Sequence, residues 1–308
     1  MSFSSDAKHE LSKLKLTDNA QKYAELYGML LFASRFSSRE IVFKTENRYT
    51  ADAFEYLLSE LFNPIIEKQS DLKPNAAGLY KILLPLPDEC RAVYEYFGHT
   101  QFDINLKINR ANLYSEELYI PFLRGVFMSC GSVTDPQKGY HLELMVRHKT
   151  LADNLMHFIG EVEVFSVNPK VTPRKGSYLV YIKGSNNICD FLGYLGAGNS
   201  VMRIIETSAY KYLKNDLNRR QNSELSNIRK LADASAKQIR AIKRIEETVG
   251  LEQLPPDLLE LSKIRLEFPE MSLMELSQRL GISRSGVNHR IERLYKFADK
   301  ILEDNKNE

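Results

Sequence analysis

Cysteine is scarce in this chain. Cys90, Cys130 and Cys189 stand far apart, and no CxxC spacing joins any two of them. That excludes a disulfide framework and a cysteine-based zinc knuckle. Long apolar runs are missing too: no window approaches 18 consecutive apolar residues, so no transmembrane helix is expected. The opening MSFSSDAKHE is polar and lacks the apolar core of a signal peptide. Charge of one sign is also lacking. A net +2 gives no argument for a polyanionic partner; only the distribution of charge can. The six histidines form no HExxH and no short metal-binding pair, and neither a P-loop nor a GxSxG occurs. His141 and His148 flank one strand and read as surface or strand-face residues. The expectation is a cytoplasmic, reduced protein with no cofactor, no metal and no catalytic residue.

What is present is length and apolar material. With 308 residues, two or three domains are expected, and 43% hydrophobic content suffices for real cores. Charged content of 27%, with 16 Tyr and 15 Phe, argues against disorder. Charge divides the chain. From Arg203 to Arg244 eleven Lys and Arg face four acids, a net +7, whereas everything before is close to neutral. Gly250 and Pro255-Pro256 then break the chain ahead of a last compact segment.

The first two hundred residues read as a duplication. An apolar helix AELYGMLLFASR leads to strand REIVFKT, a helix from Ala51 to Phe62, strand GLYKILL and helix DECRAVYEYFG. The second copy runs YIPFLRGVFMSCGS, YHLELMV, TLADNLMHFI, SYLVYIK and NNICDFLGYLG in the same order. Leu26 matches Leu123 and Tyr80 matches Tyr178, an offset of roughly 97 to 98 residues, far longer than a solenoid repeat. Between the copies, DINLKINR alternates Ile104, Leu106 and Ile108 against polar residues, which predicts a strand with one wet face. Gly193 and Gly196-Ala-Gly198 read as a helix end rather than a nucleotide loop.

Both opening helices are apolar nearly all round and must be buried. Each carries small residues four apart, Ala24 with Gly28 and Gly125 with Ser129, so two backbones can approach closely. This arrangement resembles the LAGLIDADG homing endonucleases, whose namesake helices join two pseudo-symmetric halves that form a saddle on DNA. LYGMLLFAS from Leu26 and LRGVFMSCG from Leu123 fall on that motif. The resemblance implies an acid at the end of each helix to hold Mg²⁺, which needs oxygen ligands. Here Ala33 and Cys130 stand at those positions, with Leu31 and Met128 at the other acidic ones. The expectation is a retained fold without phosphodiester cleavage, with Cys130 buried and inert. Lys44, Lys81, Asn105, Lys107, Asn109, Glu143, Arg147 and Lys183 are candidate wet-face residues of the saddle.

The last segment carries its own signal. Ser272 stands three before Glu275, a capping-box spacing. Leu273, Leu276 and Leu280 form an apolar stripe, and Gly281 stands where a helix C′ glycine does. Ser283 can cap a second helix, with Val287, Ile291 and Leu294 inward. Two short helices joined by a Gly-containing turn make a helix-turn-helix. Its outer face carries Arg284, Ser285, Asn288, His289 and Arg293. Arg284 suits guanine, Asn288 suits adenine, and Ser283 and Ser285 suit phosphate oxygens. The bland alternative is a helical pair used for protein contact. In the basic segment, Arg219, Arg220, Asn222 and Asn227 cluster before a long helix and are candidates for phosphate contact; the alternative is a solvated inter-domain helix.

Over nearly its whole length the chain resembles the bacterial WhiA-type sporulation and cell-division regulators. The specific stretches are FLRGVFMSCGSVTDPQKGYHLEL, NRRQNSELSNIRKLADASAKQIRAIKRIEETVGL and ISRSGVNHRIERL. The resemblance implies a degenerate LAGLIDADG region joined to a C-terminal helix-turn-helix in a transcription factor. The expected fold is α+β: duplicated LAGLIDADG-like αββαββ halves (about 20–98 and 115–198) within residues 1–210. A basic helical linker (211–250), an all-α helix-turn-helix domain (251–302) and a polar tail (303–308) follow. The expected function is sequence-specific regulation of transcription, with double-stranded DNA as partner in a nucleoid-associated, cytoplasmic location. By resemblance alone, a WhiB-type iron–sulfur regulator or RNA polymerase is a second partner. Two alternatives stand beside it: a protein-binding adaptor built on the scaffold, and a residual homing endonuclease.

Overall fold

The computed structural model describes residues 2–16, 18–71, 78–103, 105–165 and 167–304, the last three by backbone alone. The chain divides into two compact units, Met1–Lys211 and Tyr212–Glu308. None of the described helices is long and apolar enough to cross a membrane.

The first unit opens with a helix that sequence patterning passed over, α1 (Phe3–Ser12). Ser2 caps it by accepting the Ser5 N–H at 3.2 Å, and Phe3, Ala7 and Leu11, each one turn apart, are its buried edge. The first half then runs α2 (Asn19–Leu31), β1 (Arg35–Phe36), β2 (Ile41–Thr45), α3 (Arg48–Phe62), β3 (Glu67–Asp71), β4 (Leu79–Leu83) and α4 (Pro87–Tyr96). The second runs α5 (Tyr119–Cys130), β5 (Gly131–Val133), β6 (His141–Val146), α6 (Lys149–Glu161), β7 (Lys170–Arg174), β8 (Ser177–Lys183) and α7 (Ser185–Leu195). Their antiparallel sheets have the same order, β1-β2-β4-β3 and β5-β6-β8-β7. Tyr80 opposes Thr45 and Tyr178 opposes Val146, each at the far end of its ladder, so the two tyrosines are structural equivalents. Each half is therefore αββαββ plus a closing helix. The edge strand β3, EKQSD, is exposed throughout and lacks an apolar alternation.

Local chemistry sets the ends. Asn47 caps α3 by accepting the Thr50 N–H at 3.0 Å, and Asn63 closes it with φ of 48°. Gly196 ends α7 with φ of 102°, the left-handed conformation that glycine adopts freely. One expected element is absent. Residues 105–109 pair with no strand, and Ile104 lies outside the described residues. The alternation there has a different cause: Ile108 is buried and Leu106 packs on the core, while the Asn109 side chain donates to the Phe97 carbonyl at 3.0 Å. The segment is an extended strap, and its polar positions are not sheet positions.

The two opening helices cross in contact. A Cβ on Gly28 would stand 2.2 Å from the Phe122 carbonyl oxygen, and one on Gly125 would stand 2.0 Å from that of Glu25. Only glycine lets the backbones meet. Beside the crossing, Glu25 and Arg124 form a buried ion pair at 3.1 Å, and Arg124 Nε donates to the Leu195 carbonyl at 2.9 Å.

A single helix, α8 (Gly198–Thr248), begins in the first unit and ends in the second. Arg219, Arg220, Asn222 and Asn227 thus lie inside the long helix, not before it. No glycine, proline or cap interrupts that stretch. The second unit continues with α9 (Pro256–Glu267), α10 (Leu273–Arg279) and α11 (Arg284–Asp304). Ala241, Ile242 and Ile245 of α8 join Leu254, Leu258, Leu294 and Ala298 in one core.

Candidate nucleic-acid interface

The turn between α10 and α11 is built from local hydrogen bonds. Ser272 accepts the Glu275 N–H at 3.3 Å, and the Glu275 carboxylate accepts the Ser272 N–H at 2.7 Å. Both bonds of a capping box are made, and the second holds the Glu275 carboxyl below its ordinary range. At the other end Gly281 takes φ of 63°. Its N–H reaches the Gln278 carbonyl at 3.3 Å, and the Ile282 N–H reaches that of Ser277 at 3.0 Å. That pair of bonds is a Schellman closure. Ser283 then caps α11 by accepting the Gly286 N–H at 3.1 Å. Its hydroxyl keeps its proton to donate.

Beneath the turn, Leu261, Leu276, Leu280, Val287 and Ile291 form a small core. Val287 and Leu276 are fully enclosed, each contributing roughly 2 kcal/mol by burial. Arg265 of α9 is buried beside it and donates to the Met271 carbonyl at 2.7 Å, holding the segment that leads into α10. Desolvation lowers its pKa from the ordinary arginine value. This buried arginine was not singled out in the sequence, because it interrupts an otherwise amphipathic pattern as a surface charge would.

The first turns of α11 point outward. Arg284, Ser285, Asn288 and His289 are exposed side by side, with Ser283 exposed at the cap. Arg293, expected on the same face, is half-buried and bound to Asp257 of α9 at 2.5 Å. Arg290 joins it, 3.3 Å from Glu260 and 3.8 Å from Asp257. These two arginines dock α11 on α9. Asp257, in the first turn of α9, also faces the positive end of its own helix. The signal for this arrangement was an acid just after Pro255-Pro256.

Along α8, residues 217–230 are exposed on every side. Arg219, Asn222, Ser226 and Arg229 fall on one side of the helix. Arg220 projects about 100° from Arg219 and pairs with Asp216 at 2.9 Å.

In the first unit the ends of the crossing helices meet in a cavity of about 700 Å³, lined in part by Ala33, Ser129, Cys130 and Arg147. Burial pushes the Cys130 thiol up to about 12, so it stays protonated. The Lys8 ammonium of α1 lies near it, drawn down to about 8 by desolvation. Glu40, also at the rim, is held by Arg35 at 2.5 Å. A methyl, a thiol, an ammonium and a committed carboxylate do not fit a divalent cation, which requires free oxygen ligands. Lys44 and Lys81 oppose each other across β2 and β4, whereas Glu143 of the second half is paired with Arg174 at 2.9 Å. Arg147 donates to the Ser34 carbonyl, tying the halves together. Lys107 and Asn105 are exposed on the strap and Lys183 at the end of β8.

Comparison with known proteins fits this division. The WhiA LAGLIDADG-like domain family matches residues 120–214, and the WhiA C-terminal HTH domain family matches residues 217–298. A probable cell division protein WhiA from Ruminiclostridium cellulolyticum is 32% identical, over 99% of each chain. The chain belongs to the WhiA family. A second WhiA relative bearing the same name, from Thermoanaerobacter sp. strain X514, is 32% identical over 98% of this chain and 99% of its own. Among solved structures, full-length DUF199/WhiA from Thermatoga maritima aligns with a TM-score of 0.59 and 25% identity, covering 97% of this chain and 99% of that one. The N-terminal LAGLIDADG domain of DUF199/WhiA aligns at TM-score 0.50 and 22% identity over 63% of this chain and 90% of its own, a likeness of fold.

Proposed function

We propose that this WhiA-family chain binds double-stranded DNA in a sequence-specific way through α10 and α11, and does not cut it. One observation carries the reading. The first turns of α11 hold Arg284, Ser285, Asn288 and His289 free on one exposed face, while the arginines further along are spent on α9. That leaves a guanidinium and an amide at the end of a helix that suits the major groove. Ser283 and Ser285 would donate to phosphate oxygens. Arg219 and Asn222 add a phosphate-tracking face on α8; Arg220, about 100° round the helix and paired with Asp216, stands off that face. Arg293 reaches phosphate only by leaving Asp257. The helix ends of the first unit favour binding without cleavage, because Ala33 and Cys130 supply no ligand for a metal.

Regulation of transcription in division or sporulation is the finer part of this reading and rests on family membership. So do a WhiB-type regulator or RNA polymerase as second partner and a cytoplasmic, nucleoid-associated place.

The test is binding of the full chain to genomic fragments against competitor DNA, with and without Mg²⁺. Arg284→Ala is expected to relax sequence preference and to cost about tenfold in affinity for the preferred site. Arg219→Ala is expected to weaken all sequences alike and to lower the salt dependence by about one ion. Equal affinity for every fragment, or nicking by the pure chain, overturns the reading.

A further inference from the structure

The exposed stretch of α8 has a second face that DNA contact leaves unused. On a helix of 3.6 residues per turn, Leu213, Leu217, Arg220, Glu224, Ile228 and Leu231 fall within a strip about 80° wide. They are spaced three or four apart, as a seam between paired helices requires. Leu213 is 61% exposed, Leu217 59% and Ile228 61%, while Leu231 is half-buried. Arg219, Asn222, Ser226 and Arg229 lie on the opposite side. Large apolar side chains left bare, as Leu213, Leu217 and Ile228 are, mark an interaction surface.

The order along the strip names the occupant. Apolar residues stand at both ends and an Arg–Glu pair stands at the middle, with the basic residue first. Laid antiparallel on itself about Asn222, the strip matches in two layers, and in the third to within one residue, about 1.5 Å of helix rise. Leu213 meets Leu231 of the second copy, Leu217 meets Ile228, and Arg220 meets Glu224. The two-fold axis then repeats each contact in reverse, as an isologous interface demands. Parallel pairing would set Arg220 on Arg220 and Glu224 on Glu224. A charged pair within an apolar seam fixes register and direction at some expense of affinity.

We propose that α8 is a self-association helix: two copies of this chain pair antiparallel through Leu213, Leu217, Arg220, Glu224, Ile228 and Leu231. Arg220 exchanges its own Asp216 for Glu224 of the second copy. The opposite face of α8 stays open.

Sedimentation velocity of the full chain without DNA tests this, with helix content followed by circular dichroism. The parent chain is expected to show a concentration-dependent monomer–dimer equilibrium. Arg220→Glu and Glu224→Arg each set like charges in two layers and are expected to raise the dissociation constant about tenfold. Mixed in equal amounts, the two variants restore opposite charges in both layers and are expected to associate again. Leu217→Glu is expected to raise the constant about a hundredfold with no partner that rescues it. A parent that sediments as a monomer at every soluble concentration overturns the proposal. So does a dimer indifferent to these substitutions, or a mixture that fails to recover.

Discussion

The crossing of α2 and α5 and the packing of α10 on α11 are both contacts between two helices, yet they use their residues in opposite ways. At the crossing nothing is left over: backbone meets backbone at Gly28 and Gly125, and Leu26, Tyr27, Leu123 and Val126 are fully buried around them. The helix-turn-helix rests on a small core and leaves the first turns of α11 free. The first contact spends its residues on holding the scaffold together; the second spends little on packing and keeps its polar groups outside. Substitutions at the crossing should therefore unfold, whereas those on the outer face of α11 should change binding alone.

The largest effect should come from Gly125→Val. Its Cβ would overlap the Glu25 carbonyl, and no side-chain motion relieves a backbone clash. A loss above roughly 4 kcal/mol is expected, enough to remove the first unit's transition from a calorimetric scan. A variant melting within a few degrees of the parent would break the contrast from this side. Val287→Asp is next, at about 3 kcal/mol, because it places an unpaired carboxylate in the small core under the turn. Calorimetry should show the second unit's transition lowered and the first unchanged.

These two contacts also mark how far the sequence could be read. The crossing was legible because small residues four apart on an all-apolar helix admit few explanations. The turn was legible because Ser272, Glu275, Gly281 and Ser283 each act on neighbours a few residues away. What was missed depends on distant partners. Asp257 is bound by Arg290 and Arg293, more than thirty residues later, and nothing local sets these arginines apart from the exposed Arg284. Edge strands β1, β3, β5 and β7 are short or polar and borrow their structure from β2, β4, β6 and β8. The strap at 105–109 alternates because one side packs on the core, a cause that periodicity cannot separate from a strand.

Glu25 gives a smaller effect with a sign that pH can read. Burial lifts its carboxyl from an ordinary 4.5 to about 7, against the opposing pull of Arg124. A carboxyl raised in the folded state favours folding when protonated. Its contribution is full below the unfolded value and is lost as pH rises through about 7. Glu25→Gln imitates the protonated form and keeps an oxygen for Arg124. The variant should match the parent near the acid end of that window. It should gain up to about 2 kcal/mol over the parent on the alkaline side. Thermal melts of both proteins at the two ends measure it, and a constant difference refutes the assignment.

Ser272→Ala is the mildest change and the sharpest test of how the turn is held. It deletes the hydroxyl that accepts the Glu275 N–H and leaves the Glu275 carboxylate with only the returning bond. Loss of an N-cap costs about 1 kcal/mol. For a unit of this size that lowers the second transition by roughly 4–8 °C. Ser272→Asp, which can still accept, should recover most of the loss. No residue of the outer face of α11 moves, so DNA affinity measured well below the transition should equal that of the parent. If the alanine variant instead loses affinity as Arg284→Ala does, then the cap sets the reading geometry as well as the stability. Folding and recognition in the second unit would then be as tightly joined as backbone and backbone are at Gly125.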